Sequence, residues 1–164
     1  MKQVIGQNHM PTFFLSKSKY LRGLQCYKSL WLTKKGKIKP KAPSESLQVI
    51  FDEGTRVGEK AQKLFPGGKL IEYKGSTFDE KIAKTKEWLA SGESTIYEAT
   101  FKFNDILVMV DILTKGRNGW EFYEVKSPSD VYKNKSTKVK DVYVDDLAIQ
   151  YYVLKGSGLD ISSV

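Results

Sequence analysis

Residues 106–113, ILVMVDIL, constrain the chain more than any other stretch. An apolar run of this length, rich in β-branched residues and bounded by turn residues, predicts a central strand buried on both faces. The flanks fit that reading. TIYEATFKF (95–103) precedes it across the turn Asn104-Asp105, and WEFYEVK (120–126) follows it across KGRNG (115–119). Together they predict a three-stranded antiparallel meander over 95–103, 106–114 and 120–126.

Inside that run stands one charge, Asp111. A carboxylate buried alone is costly, so it needs a cation, a partner or a shifted pKa. Alternation along the next strand puts Trp120, Phe122, Glu124 and Lys126 on one face, opposite Glu121, Tyr123 and Val125. If 114 pairs with 120 or 121, Asp111 comes level with Glu124. A buried aspartate, a glutamate and a lysine then converge at one end of a sheet. Two carboxylates suit a hard divalent cation such as Mg²⁺ or Mn²⁺, with the lysine offsetting negative charge or positioning a water. Metal-activated phosphodiester hydrolysis uses such parts. An Asp111–Lys126 salt bridge closing the sheet edge explains the same spacing, and both readings stand at this point.

The rest of the chain supplies helices. The spacing of Tyr20 or Leu21, Leu24, Tyr27 or Lys28, and Trp31 predicts one helix from about Ser18 to Lys35, and Tyr20, Tyr27 and Trp31 read as core more readily than as base-stacking residues. A loop over 35–44 leads to a second helix capped by Ser44 or Ser46. It reaches about Leu64, with Leu47, Ile50, Phe51, Val57, Ala61 and Leu64 as its inward stripe. A short strand is expected at 69–73 and a capped helix at 76–92. A polar loop follows over 127–140. The helix expected over 141–158 has Val144, Leu147, Ala148, Tyr151 and Leu154 or Lys155 inward, and a last strand begins at 159. Gly68-Lys69 lacks the rest of a phosphate loop. The order predicts an α/β sandwich, a mixed sheet with helices packed on it. Residues 1–13 read as a disordered leader, which sets the only histidine, His9, apart from any site. Residues 14–164 read as one domain, and the strand in progress at Val164 suggests a fragment of a longer protein.

Charge narrows the partners. The chain carries 27 Lys and Arg against 19 Asp and Glu, and no acid falls within residues 1–44. A basic segment of that kind favours a polyanion, most simply nucleic acid, with Lys17, Lys19, Arg22 and Lys28 as contact candidates. No apolar run is long enough to span a bilayer, so no membrane partner is expected. A single cysteine, Cys26, excludes an internal disulfide and fits a reducing, cytoplasmic setting.

Asp111 followed by Glu124-Val125-Lys126 resembles the D…ExK signature of the PD-(D/E)XK nuclease superfamily. The ordered run YEATF…VDIL…WEFYEVKS…YVDDLAIQYYVL, with LSKSKYLRGLQCYKSLWL and FDEGTRVGEKAQKLFPGG upstream, is similar to the RecB-like branch. That branch includes CRISPR-associated exonucleases, and the run is most similar to an uncharacterised bacterial family with this domain at its N-terminus. The resemblance covers roughly residues 14–164. It implies a restriction-endonuclease-like core and a metal-dependent nuclease of the DNA repair or defence type, acting on DNA rather than RNA. It further implies Mg²⁺ or Mn²⁺ held by Asp111, Glu124 and the Val125 carbonyl, Lys126 on the attacking water, and Gln150 positioning the site. Glu98 is an additional candidate. The chain departs from the pattern in three places. Val110 replaces the proline before the aspartate. Gly58 stands where the branch carries a histidine ligand, for which Glu53 or Glu59 is the replacement. Leu154 stands where a tyrosine follows the glutamine, leaving Tyr151 or Tyr152 as substitutes. Cys26 matches the first of four cysteines that hold an iron–sulfur cluster in part of the branch. One thiolate cannot hold a cluster, so that cofactor is conceivable only in a longer chain. The alternative is a catalytically weak nucleic-acid-binding domain on the same fold.

Overall fold

The computed structural model describes residues 14–38, 42–127, 131–133 and 137–164. The expected leader, His9 and parts of the 127–140 loop lie outside these residues.

Six strands form one mixed sheet: β1 (Leu15–Ser16), β2 (Lys69–Leu70), β3 (Thr95–Phe103), β4 (Ile106–Lys115), β5 (Trp120–Tyr123) and β6 (Ile161–Ser163). The order is β2-β3-β4-β5-β6, with β1 paired to β4. The meander is antiparallel, as expected; β1–β4, β2–β3 and β5–β6 are parallel. Asn104 and Asp105 turn β3 into β4 with φ of 45° and 58°, the left-handed pair that a tight hairpin requires and that Asn and Asp tolerate. Thr114 pairs with Glu121, within the expected register. Val108, Val110, Leu113 and Phe122 are fully buried in a core with Ile96, Ala99, Phe101, Val153 and Leu154. Each such side chain contributes on the order of 2 kcal/mol by leaving water.

Five helices accompany the sheet: α1 (Lys17–Gln25), α2 (Tyr27–Lys34), α3 (Glu45–Gln62), α4 (Phe78–Ala90) and α5 (Asp141–Gly156). The long first helix is two helices. Cys26 takes an extended conformation (φ −164°, ψ 108°), and its sulfur accepts from the Ser29 amide, so it caps α2 and ends α1 at once. Tyr27 is 80% and Trp31 55% exposed, so the core reading for these two does not hold. The stripe of α3 also fails to pack: Leu47, Ile50, Phe51 and Leu64 are exposed, and none of the helix's residues is buried. Its small residues Gly54 and Gly58, with Thr55, line a cavity of about 740 Å³ bounded on the far side by sheet residues. The helix meets the sheet at its C-terminal end, where the Tyr97 hydroxyl donates to the carbonyls of Gln62 and Phe65. α4 opens with a capping box, Thr77 with Glu80. No helix among the described residues is long and apolar enough to cross a membrane.

The face of α5 is rotated from the expected one. Asp146, Ile149, Gln150, Val153 and Leu154 are buried, whereas Val144 and Tyr151 are exposed. Two polar side chains take inward positions because charged groups from the sheet and from α1 await them there.

Candidate active site

The local backbone prepares the site first. The β3–β4 ladder runs from Thr95↔Thr114 to Phe103↔Ile106 and skips one pair, Glu98 with Asp111. Glu98 sits at φ 58°, a left-handed conformation that costs a non-glycine residue roughly 1 kcal/mol. Its neighbours hold the irregularity in place. The Thr100 hydroxyl donates to the Glu98 carbonyl (3.0 Å), and the Thr100 amide donates to the buried Thr85 hydroxyl of α4 (2.9 Å). The strained residue, Asp111 and Glu124 all line the 740 Å³ cavity, with Val125 and Glu59.

Beyond Tyr123 the chain leaves the ladder, and the Val125 amide donates to Asp111 Oδ2 at 2.6 Å. Glu124 is held from three directions. Lys17 Nζ donates to both of its oxygens (2.8 and 2.9 Å), Lys126 Nζ to Oε1 (2.5 Å) and Gln150 Nε2 to Oε2 (2.8 Å). Asp146, on α5, collects the same donors from the other side: Lys126 at 2.8 Å, Gln150 at 2.9 Å and Lys17 at 3.2 Å. The alternative reading, an Asp111–Lys126 bridge, is not what forms. Lys126 lies past the end of β5 and turns to Glu124 and Asp146 instead. Gln150 is fully buried, and its Oε1 has no hydrogen-bond partner among the described residues.

Lys17 reaches this place because of β1. The two-residue parallel pairing Leu15↔Ile106 and Ser16↔Leu107 sends the chain along β4 toward Asp111, and Lys17 is the next residue. The sequence placed Lys17 on a nucleic-acid-binding surface; its ammonium is in fact among the carboxylates. Lys19 lies over the Phe14 ring, Arg22 reaches the Ser29 hydroxyl, and Lys28 is exposed. Glu53 pairs with Arg56 on the exposed side of α3, so of the two glutamates proposed for the missing histidine only Glu59 faces the cavity. Tyr151 lines a different groove, with Leu147 and Ile161, and Tyr152 accepts from Asn104. Neither tyrosine joins the site.

Electrostatics divides the cluster. Burial pushes Glu98 up to about 7, with Asp111 and Glu124 adding to it, and pushes Asp111 up to about 6, reinforced by Glu124. For Asp146, burial would raise the value, but Lys17 and Lys126 outweigh it and hold the carboxyl below the usual range. Burial would likewise lower Lys126, yet Glu124 and Asp146 raise it, so the ammonium stays charged.

Oxygen donors on one cavity, two of them desolvated, are a donor set for a hard divalent cation. As placed, however, no three His, Cys, Asp or Glu side chains among the described residues are arranged to hold one. Asp146 was missed in the sequence. The signal was its i,i+4 spacing to Gln150, which puts both on one helix face. Comparison with family models, with curated proteins and with solved structures found no match.

Proposed function

We propose that the chain is a divalent-cation-dependent nuclease domain that hydrolyses DNA phosphodiester bonds. One observation carries this reading: Glu98, Asp111 and Glu124 converge on a single cavity with Lys126 beside them, and two of these carboxylates are held there at high pKa despite the cost. Asp111 and Glu98 would hold the cation, with Glu124 and the Val125 carbonyl completing its oxygen set. When bound, the cation supplies Lewis acidity to the phosphate and a more acidic water. Lys126, kept charged by Glu124 and Asp146, orients the attacking water and meets the charge that develops on the phosphate. Gln150 fixes the Glu124 carboxylate, and Asp146 fixes both lysines. The exposed bases Arg22 and Lys28 offer phosphate contacts.

A second reading, a nucleic-acid-binding domain of weak or no activity, draws on Glu124. Its oxygens are filled by donors from this chain, and Gly58 replaces the branch histidine. Calorimetric titration with Mn²⁺ and cleavage of a fluorescent single-stranded DNA decide between them, run on the wild type and on Asp111→Ala/Glu124→Ala. Cation binding and cleavage both lost in the double variant support the nuclease. Nucleic-acid binding without cleavage supports the second reading.

A further inference from the structure

We infer that Lys17 is a built-in counter-ion standing in the cation's place, and that a divalent cation enters the site only by displacing its ammonium from Glu124. The inference rests on the cation-site reading above and concerns a residue that the D…ExK pattern leaves out.

Glu124 has two oxygens and four approaching donor contacts: two from Lys17, one from Lys126 and one from Gln150. A carboxylate offers about four lone-pair directions, so none is left for a metal ion. One donor must leave. Gln150 is fully buried and tied to Asp146 at 2.9 Å. Lys126 holds Asp146 at 2.8 Å, whereas Lys17 holds it at 3.2 Å. Side-chain exposure does not separate the two lysines, 21% for Lys17 and 28% for Lys126, so the looser hold on Asp146 is what distinguishes Lys17. Lys126 comes closer to Glu124, at 2.5 Å, but only Lys17 donates to both of its oxygens.

The device has a chemical logic. An ammonium offsets buried negative charge when no cation is present, but its single charge makes it a replaceable occupant. Removing it should therefore weaken the cation-free protein and improve the cation site together.

The test uses Mn²⁺ alone, without nucleic acid. Wild type, Lys17→Met and Lys17→Gln are titrated by calorimetry and melted in EDTA and in Mn²⁺. Lys74→Met, at the rim of the same cavity, controls for the loss of one positive charge. The expected result is Mn²⁺ binding about tenfold tighter in both Lys17 variants, within the range usual for coupled sites. Their melting temperature should be lower in EDTA, and Mn²⁺ should restore it. Lys74→Met should change affinity by less than about twofold, as surface charges do. Binding that appears only in the Lys17 variants also supports the inference. Equal or weaker binding in both, with the wild type still binding through Asp111, overturns the role of Lys17 and leaves the cation site standing. No Mn²⁺ binding in any of the proteins overturns both.

Discussion

Glu124 and Asp146 are surrounded by Lys17, Lys126 and Gln150, whereas Glu98 and Asp111, on the neighbouring strands, have no ion pair among the described residues. One cluster thus holds two acidic pairs under opposite regimes. Counter-ions hold Asp146 below its usual pKa, and burial lifts Glu98 and Asp111 well above theirs. The paired half is built for stability. The lifted half destabilises the fold as it ionises, a cost that pays for itself only if something positive binds there. On the proposed reading, Asp146 scaffolds the site, Glu98 and Asp111 would take the cation, and Glu124 stands between the two roles.

The largest effect should come from breaking the paired half. Asp146→Ala leaves two ammoniums and an amide facing one carboxylate, and urea unfolding should show a loss of about 3 kcal/mol. pH separates the halves next. A raised carboxyl contributes stability that is present below its unfolded pKa and lost as pH rises through its folded pKa. In EDTA, Glu98 and Asp111 should therefore cost stability progressively between about pH 4 and 7. Glu98→Gln should match the wild type below pH 4.5 and exceed it by about 2 kcal/mol near pH 7.5. Asp146 works in the reverse sense, its contribution fading as pH falls. Equal pH profiles for wild type and Glu98→Gln would refute the lifted half. Smaller still, Asp111→Asn should gain about 1 kcal/mol while abolishing Mn²⁺ binding; a loss of stability would mark Asp111 as structural. Gly58→His should raise Mn²⁺ affinity several-fold, since a Cβ there meets nothing within 4 Å and the position lines the cavity. Tyr151→Ala, in the other groove, should leave cation affinity unchanged in the same titration.

The meander was legible because β4 announces itself. An apolar run between turn residues has few alternatives, and its register brought Asp111 level with Glu124 as expected. Lys126 and Gln150 both reach Glu124 and Asp146, and the alternative Asp111–Lys126 bridge is absent. What escaped the sequence did so for physical reasons. The i,i+3/i+4 rule takes apolar residues as the inward face, so α5 was rotated away from Asp146 and Gln150, which pack inward because Asp146 meets Lys17 and Lys126 there and the Gln150 amide donates to Glu124 and Asp146. α3 obeys the same rule on paper yet spreads its glycines over a cavity. The break at Cys26 depends on a thiol accepting a backbone amide, a capping role rarely expected of cysteine. Lys17 was invisible as a site residue because the contact spans 107 positions and depends on a two-residue strand.

That strand has a kinetic consequence. β3, β4 and β5 follow one another through short turns and close at little entropic cost, while the β1–β4 pairing must close a loop of about ninety residues. This topology predicts an order of folding: the meander assembles with Asp111 in it, and the N-terminal segment docks afterward, bringing Lys17 to Glu124. Early in folding the carboxylates stand without their ammonium and are open to any cation in solution. Millimolar Mn²⁺ present during refolding should therefore capture the site before Lys17 arrives and slow the final docking phase, a delay that stopped-flow tryptophan fluorescence would resolve and that Lys17→Met should abolish.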